Sequence, residues 1–251
     1  MFDATGRVAL VTGAGQGVGV GIARALAAQG AKVAVNDLVA ERAETTVADL
    51  VDLGHRAIAV PFDVTDRAAV DAGVARITDE LGPVDILVNN AGVPVGMDLV
   101  PFGQADPEQW RLYVDLNMYG SMHCIQAVLG GMCDRGWGRV VQISSGAGRS
   151  GLNLGISLYG ASKSGIEGLI RHLSQEIARK GVTANCLALG MMGHAGSDVD
   201  DEATRPLIRT IPVGRLGTPD DVGAAVVYLA SDEASWLTGQ TIDLNGGSVQ
   251  H

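Results

Sequence analysis

The sequence predicts an α/β protein built on a doubly wound parallel sheet of about seven strands, with helices on both faces. Short runs rich in Val, Ile, Leu and Ala alternate with longer segments whose apolar residues recur at helical spacing. A glycine-rich turn follows the first apolar run directly, as between a strand and a helix. Because such runs fit strands that are buried on both faces, their alternation with helices indicates right-handed βαβ units.

Seven apolar runs are candidate strands, at residues 8–12, 33–36, 57–60, 86–89, 140–144, 183–189 and 241–244. The segment between the first two runs, residues 18–29, has the apolar spacing of a helix. Gly30 closes this helix as a C-cap residue would, and Gly54 and Gly82 end two further predicted helices in the same way. Strand and helix therefore alternate along the chain, as a parallel sheet requires.

The chain, residues 1–251, is predicted to form a single domain, because no linker, internal repeat or charge block divides it. The only long irregular region covers residues 190–212. Because this region follows the sixth strand, we expect it at the carboxyl edge of the sheet, where ligands bind in open α/β folds. We interpret it as a substrate lid, and a disordered loop is the alternative.

Composition argues against several classes of partner. Eighteen Lys and Arg against 28 Asp and Glu give a net charge of −10, which disfavours nucleic acid and anionic membrane surfaces. No apolar stretch is long enough to span a bilayer, and no export signal is visible. Cys124, Cys133 and Cys186 lack the spacing of metal ligands, so we expect reduced thiols, no metal site and a cytoplasmic protein.

The turn after the first strand predicts a dinucleotide site. It contains Gly13, Gln16, Gly17, Val18 and Gly19 and leads into the first helix. Glycines let the backbone approach a pyrophosphate closely, and the helix N-terminus offers unpaired N–H groups and a positive dipole end. A plain strand-to-helix turn is the alternative, but the buried strand before it and the helix after it favour a Rossmann dinucleotide-binding fold.

Asp37 predicts which dinucleotide binds. It ends the second strand, 18 residues after Gly19, where a carboxylate can accept hydrogen bonds from the adenosine ribose hydroxyls. A 2′-phosphate near 4 Å would be repelled by about 4 kcal/mol at an effective dielectric constant of about 20. Neither Gln16 nor Leu38 is an arginine that would compensate, so we expect NAD. A turn or N-cap role before the helix at Val39 is the alternative.

Tyr159 and Lys163 indicate proton-transfer chemistry. They are four residues apart at the head of a predicted helix, so the phenol and the ammonium share one helix face. A neighbouring cation favours the ionised phenol and lowers its pKa, which suits an acid or base. With four tyrosines and three lysines in the chain, the spacing alone does not distinguish function from coincidence.

Several motifs together resemble the short-chain dehydrogenase/reductase family, in its single-domain branch of about 250 residues. They are Thr-Gly-x-x-x-Gly-x-Gly at residues 12–19, Asn-Asn-Ala-Gly at 89–92, Tyr-x-x-x-Lys at 159–163, Ile-Pro-Val-Gly-Arg-Leu-Gly at 211–217 and Asn-Gly-Gly at 245–247. Their order and spacing make the resemblance specific, and it covers essentially the whole chain. It implies an NAD(P)-dependent oxidoreductase that interconverts a secondary alcohol and a ketone by hydride transfer.

The resemblance implies four catalytic residues. Tyr159 is the acid or base, and Lys163 lowers its pKa and holds the nicotinamide ribose. Ser145 binds the reacting oxygen, although it lies 14 residues before Tyr159, one more than the commonest family spacing. Because adjacent strand residues face opposite ways, either Ser144 or Ser145 reaches the site, and we favour Ser145. Asn117 links Lys163 to solvent through water, and a polar helix position without a catalytic role is the alternative.

The resemblance also implies further cofactor-binding residues beyond the glycine turn, Tyr159 and Lys163. These are Asp63, Val64, Asn89, Ala91, Gly92, Gly190 and Met192. Asn90 is expected to be structural, and Asp63 has a turn before the next helix as its alternative role. The lid departs from the family pattern, because Leu189 stands where proline is usual and His194 where a threonine usually meets the cofactor. His194 could supply a substitute hydrogen bond, but a solvated loop histidine is the more common case.

The segments 93–99 and 148–158 and the residues Met191 and Met192 are candidates for the substrate pocket. Their apolar side chains suggest a 3-hydroxyacyl-CoA or 3-oxoacyl thioester, a steroid or a cyclic alcohol. Packing against the core or another subunit is the alternative for these side chains. Arg149 could meet an anionic group, although a surface arginine is the simpler interpretation. The rival from another class is a non-catalytic dinucleotide-binding regulatory or scaffold protein.

Net charge and resemblance also bear on partners. An acyl carrier protein is itself acidic, so a chain of net charge −10 suits coenzyme A better, unless basic residues form a local patch. The candidates for such a patch are Arg135, Arg139, Arg171 and Arg179. The resemblance implies a homotetramer that acts on a small-molecule substrate.

Overall fold

The computed structural model describes residues 1–94, 96, 97, 99–193 and 204–249, and within these residues it contains one seven-stranded sheet. The strands are β1 (Val8–Val11), β2 (Lys32–Val35), β3 (Ala57–Ala59), β4 (Ile86–Asn89), β5 (Gly138–Ser145), β6 (Val182–Leu189) and β7 (Thr241–Leu244). All seven predicted runs are strands, with ends that differ by at most two residues. The doubly wound parallel fold is therefore confirmed.

The strand order places a ligand crevice at the middle of the sheet. The order is β3-β2-β1-β4-β5-β6-β7, and every neighbouring pair is parallel. The chain moves outward in one direction from β1 to β3 and then returns to the other side of β1 with β4. The carboxyl ends of β1 and β4 therefore flank the point where the winding reverses, which is where open α/β sheets bind ligands.

Helices cover both faces of this sheet. They are α1 (Gly17–Ala28), α2 (Ala40–Asp52), α3 (Arg67–Glu80), α4 (Trp110–Val114), α5 (Ser121–Arg135), α6 (Ser157–Ile177), α7 (Thr204–Ile208) and α8 (Pro219–Leu229), with a π-helical turn, Asp115–Gly120, between α4 and α5. Gly30, Gly54 and Gly82 follow the first three helices with φ of +88°, +85° and +111°. The three predicted glycine ends are confirmed, because only glycine adopts such angles without strain.

Alternation along the strands divides the core into two apolar layers. In β1, Val11 packs in the layer with α1 and α8, whereas its neighbour Leu10 packs in the layer with α3, α5 and α6. Successive strand residues point to opposite faces, and here both faces are buried. Cys124 and Cys186 are buried in the second layer as free thiols. No helix in the described part of the chain is long and apolar enough to cross a bilayer.

The start of the expected lid is attached to the rest of the fold. The Gly190 N–H donates to Leu244 O at 2.9 Å, which continues the pairing of β6 with β7. The Gly193 N–H donates to Gly217 O at 2.8 Å, and the Gly217 N–H donates to Met191 O at 3.0 Å. His194 and residues 195–203 lie outside the described residues, so the lid at 190–212 stays a prediction.

Candidate active site

Hydrogen bonds tie the glycine-rich turn to the end of β4. Thr12 Oγ1 accepts from the N–H groups of Asn90 and Ala91, at 3.0 and 3.1 Å. The Asn90 side-chain amide donates to Thr12 O at 3.0 Å and to Gly13 O at 2.9 Å. Asn90 thus fixes the turn against β4, which is the structural role expected for it.

Close packing requires two glycines of the turn, whereas the space at a third glycine is open. A Cβ atom on Gly13 would lie 2.9 Å from Ala91 Cα, and one on Gly19 would lie 2.4 Å from Gly13 O. Gly17, at φ +55°, has nothing within 4 Å in that direction among the described residues. Gln16 precedes α1 in extended conformation and its side chain does not cap the helix. The first N–H groups of α1 therefore fit the pyrophosphate of a dinucleotide.

Asp37 lies directly against this turn. Its Oδ2 accepts from the Gly15 N–H and its Oδ1 from the Val39 N–H, both at 3.0 Å. The turn role considered as an alternative is therefore present, and it places the carboxylate beside the phosphate-binding turn. A Cβ atom on Gly15 would meet Asp37 Oδ2 at 2.7 Å and Arg42 Cβ at 2.5 Å. Arg42 is a basic residue beside Asp37 that was not predicted, because only the structure brings α2 against this turn.

The segment expected to meet adenine forms a turn before α3. Asp63 Oδ1 accepts from the N–H and the hydroxyl of Thr65, both at 2.8 Å. Val64 is buried, and its carbonyl lies 3.1 Å from His123 Nδ1. A Cβ atom on Gly120 would lie 2.8 Å from Val64 Cγ2, so this glycine lets the π-helical turn pack on Val64. The turn role of Asp63 is present, and contact with adenine stays a prediction.

Ser145 and Ser144 point to opposite sides of the end of β5. The Ser144 hydroxyl donates to Glu167 Oε1 at 2.6 Å and is buried behind the site. Ser145 interacts with the hydroxyl of Tyr159, which lies in the first turn of α6. Burial raises the pKa of the Tyr159 phenol, and the hydrogen bond with Ser145 partly opposes that rise. The arrangement supports the choice of Ser145, since its side chain faces the phenol.

Lys163 is among the largest fully buried side chains of the molecule. Its Nζ donates to Ile143 O at 3.0 Å and lies 5.6 Å from the centre of the Tyr159 ring. Burial lowers the pKa of Lys163 to about 8. Burial of the phenol raises the pKa of Tyr159 overall, and the expected opposing effect of Lys163 stays a prediction.

Asn117 and Lys163 meet at Gly92. A Cβ atom on Gly92 would lie 2.5 Å from Lys163 Nζ and 2.6 Å from Asn117 Oδ1. Asn117 lies in the π-helical turn, where its amide donates to Tyr113 O at 3.2 Å. Its Oδ1 is buried and accepts no hydrogen bond from the described residues. A water between this unpaired oxygen and the Lys163 ammonium would satisfy the oxygen, and the expected role of Asn117 in linking Lys163 to solvent stays a prediction.

The remaining predicted cofactor residues lie at the same edge of the sheet. Val18 packs partly buried against the core, beside the glycine turn. Asn89 is buried at the end of β4, where its amide lies 3.4 Å from Ser121 O. Gly190 follows β6, and Met192 forms an isolated parallel bridge with Gly217. Their contact with a cofactor stays a prediction.

The half-buried Arg149 lies next to the buried Glu167, behind the catalytic side chains. Arg149 Nη1 lies 3.9 Å from Glu167 Oε2, and Arg149 Nε lies 3.6 Å from Asp243 Oδ1. Arg149 is therefore not a free surface arginine, and contact with an anionic substrate stays a prediction. Glu167 was not predicted as a site residue, although its place four residues after Lys163 puts both on one face of α6.

The fold and the site define a dinucleotide-binding α/β protein with a Ser-Tyr-Lys-Asn constellation. A family model described as short chain dehydrogenase matches residues 7–204. The chain belongs to the short-chain dehydrogenase family. It is accordingly an oxidoreductase that interconverts hydroxyl and keto groups.

Individual proteins of known description are similar over almost the whole chain. Acetoacetyl-CoA reductase of Shinella zoogloeoides is 40% identical over 249 residues, which cover 96% of this chain and 98% of that protein. Gluconate 5-dehydrogenase of Burkholderia cenocepacia, solved with NADP and tartrate, superposes with a TM-score of 0.90 at 34% identity and covers 98% and 96%. A 3-oxoacyl-[acyl-carrier protein] reductase of Brucella melitensis with bound NAD gives 0.90 at 32%, covering 99% and 94%.

Replacing Gly92 with alanine is expected to stop turnover without unfolding the protein. The new methyl group would collide with Lys163 Nζ and Asn117 Oδ1, which are ends of side chains and can be pushed aside. We expect kcat to fall by more than about 100-fold, since small displacements of catalytic groups have effects of this size. Steady-state kinetics and thermal unfolding measure both quantities.

Gly130→Ala is the matched control, because a Cβ atom there, in α5, has nothing within 4 Å among the described residues. This variant should keep wild-type kcat and unfolding temperature. A Gly92→Ala protein that turns over like Gly130→Ala would contradict the crowding seen at Gly92.

Proposed function

We propose that the protein interconverts 3-hydroxyacyl-CoA and 3-oxoacyl-CoA thioesters with NAD as the hydride carrier. The observation that carries the proposal is the convergence of Ser145, Tyr159, Lys163 and Asn117 at the carboxyl edge of the sheet, beside an open glycine turn. All four side-chain types needed for proton transfer to and from an alcohol are in place. A non-catalytic dinucleotide-binding protein would not need this set.

Tyr159 is the proton donor and acceptor of the proposed reaction. In reduction its hydroxyl protonates the carbonyl oxygen, and in oxidation its phenolate takes the alcohol proton. Ser145 donates a hydrogen bond to the same oxygen and stabilises the charge that develops there. Lys163 stabilises the phenolate, and Asn117 Oδ1 holds the water through which the proton is replaced. The bound nicotinamide supplies or accepts the hydride.

NAD is proposed over NADP because of Asp37. Its carboxylate is fixed by the Gly15 and Val39 N–H groups beside the phosphate-binding turn, where it can accept from ribose hydroxyls and repel a 2′-phosphate. The Cβ atom of Arg42 lies beside the same turn, and the positive charge of this side chain would favour a 2′-phosphate and so oppose a preference for NAD. The Asp37 carboxylate is buried and accepts two backbone hydrogen bonds, whereas the Arg42 side chain is exposed. We therefore expect Asp37 to determine the cofactor preference.

An apolar acyl group is proposed as the substrate because apolar side chains surround Tyr159. A shallow depression beside Tyr159 includes Val100, Phe102, Tyr113 and Leu158 in its lining. Further exposed apolar side chains lie on the loops that follow β4, β5 and β6: Val93, Leu99, Leu152, Leu154 and Met191. A thioester is supported by the two similar reductases named for acyl-CoA and acyl-carrier-protein substrates.

Coenzyme A is proposed as the carrier in place of an acyl carrier protein. Two of the four arginines considered for the basic patch that such an acidic protein would need are held by contacts within the fold. Arg139 is buried and donates to Ser231 O at 3.0 Å. Arg135 donates to Val84 O at 2.6 Å and pairs with Asp85 at 3.2 Å. Two of the four arginines are thus engaged at the opposite, amino-terminal end of β4 and β5.

We further propose a single domain over residues 1–251, a cytoplasmic location and a homotetramer. Exposed Trp110, Leu112 and Tyr119 beside the π-helical turn support burial against a second copy. The free cysteines, among them the buried Cys124 and Cys186, support a reducing compartment.

Oxidation and reduction should respond differently to pH. Because burial raises the pKa of Tyr159, its phenol is protonated at neutral pH, as reduction requires. Oxidation requires the phenolate, so its rate should rise up to about tenfold per unit from pH 6 to 8, while reduction stays flat. NADH absorbance measures oxidation with 3-hydroxyacyl-CoA, cyclic alcohol and hydroxysteroid substrates and reduction with the corresponding ketones. The acyl-CoA substrates should give the largest kcat/KM.

Three variants serve as controls for this assay. Tyr159→Phe should abolish turnover, and Ser145→Ala should lower kcat by more than about 100-fold, whereas Ser144→Ala should stay within about tenfold of wild type. Cofactor binding without turnover of any substrate would favour the non-catalytic alternative. A faster reaction with a steroid or cyclic alcohol would contradict the thioester proposal alone.

Asp37→Ala should shift cofactor preference toward NADP. Removing the carboxylate deletes an acceptor for the ribose hydroxyls and the repulsion of a 2′-phosphate, so the ratio of the two dissociation constants should change by at least about tenfold. Titration calorimetry with NAD and NADP measures the ratio. Asp52→Ala, at the exposed far end of α2, should leave it unchanged. An unchanged ratio in Asp37→Ala would remove Asp37 as the determinant.

A further inference from the structure

We propose that Glu167 is a positioning residue for the reaction, which holds Ser145 and Lys163 in place from behind and supplies negative charge that keeps the Lys163 ammonium protonated. The proposal rests on the roles proposed above for Ser145 and Lys163. Glu167 itself is buried on α6, four residues after Lys163.

The Glu167 carboxylate joins three segments that carry the site. It lies four residues after Lys163 on α6, and a Cβ atom on Gly148 would lie 3.0 Å from Lys163 Cβ and 3.1 Å from Glu167 Oε1. One carboxylate oxygen accepts from Ser144 at 2.6 Å, directly before Ser145. The other lies 3.9 Å from Arg149, in the segment between β5 and α6. A shift of Glu167 would therefore move the end of β5 relative to α6.

Glu167 supplies the negative charge that acts on the buried Lys163 ammonium. Burial lowers the pKa of Lys163 to about 8, and Cys186 and Glu167 oppose that fall. Burial raises the pKa of the Cys186 thiol to about 12, so this thiol is uncharged at neutral pH. The opposing charge must then come from the carboxylate of Glu167, which is charge-stabilised by its hydrogen bond from Ser144.

The groups that face Glu167 come from every element around it. They are Lys163 and Arg171 on α6, Arg149 after β5, Cys186 on β6 and Asp243 on β7. Burial raises the pKa of Glu167, and Ser144, Arg149 and Arg171 oppose the rise while Asp243 adds to it. The hydroxyl and the two arginines together favour the ionised carboxylate at the pH where Lys163 titrates.

The titration of Lys163 tests the charge without any substrate. The chain has only three lysines, so ¹³Cε-lysine NMR resolves them, and Lys32→Arg and Lys180→Arg assign the remaining signal. In Glu167→Gln we expect the Lys163 midpoint to fall by at least about half a pH unit from its wild-type value near 8. Glu176→Gln, an exposed carboxyl on the same helix, should leave the midpoint unchanged.

Steady-state kinetics test whether Glu167 positions Ser145 and Lys163. Glu167→Gln should lower kcat about tenfold with KM for NAD within about twofold, and the pH at which kcat declines on the alkaline side should move with the Lys163 midpoint. Ser144→Ala keeps the charge but loses the hydrogen bond, so kcat should fall about fivefold with the Lys163 midpoint unchanged. This milder variant also replaces Glu167→Gln if the latter does not fold.

Two results would overturn the proposal: a Lys163 midpoint in Glu167→Gln equal to that of wild type, or wild-type kcat in Ser144→Ala. A loss of kcat that follows only a lower unfolding temperature, with the alkaline limb unmoved, would show a structural role alone. Failure of the proposed function would appear differently, as a wild-type protein with no turnover and an intact Lys163 titration.

Discussion

The buried ammonium of Lys163 is the constraint on which the rest of the site depends. A fully buried charge is costly, and a pKa lowered from 10.5 to about 8 corresponds to about 3 kcal/mol at neutral pH. The fold offsets this cost with one hydrogen bond to a carbonyl, Ile143 O, and with the nearby carboxylate of Glu167. Gly92 completes the arrangement, since a side chain there would collide with Lys163 Nζ and Asn117 Oδ1.

The parallel sheet explains why these groups converge. Ile143 and Ser145 end β5, Gly92 follows β4, and both strands deliver their carboxyl ends to the same edge. The π-helical turn then brings Asn117 to that edge, consistent with the use of π-bulges at functional sites. The cofactor turn lies on the adjacent strand, β1, and is tied to β4 through Thr12. Sheet order alone thus places the dinucleotide turn next to the proton-transfer groups.

Most of the fold could be predicted from sequence, because buried strands and glycine helix ends are local patterns. Tyr159 and Lys163 could be found from their spacing on one helix face. The crowding at Gly92 and the position of Arg42 beside the glycine turn could not be predicted, since each depends on contact between elements distant in sequence. The burial of the Tyr159 phenol, which raises its pKa, could not be predicted either, because the helix spacing shows the lysine but not the burial. Glu167 carried a visible helix-spacing signal, but only the structure shows that it is buried.

Thermal unfolding of Lys163→Met, measured beside its turnover, tests the central claim most directly. If the ammonium is kept for chemistry at the expense of stability, an apolar side chain of similar length should give an unfolding temperature at neutral pH no lower than that of wild type. Turnover should fall by more than about 1,000-fold, because the phenolate of Tyr159 loses its cation. A variant that keeps its turnover, or that unfolds at a clearly lower temperature, would contradict this account.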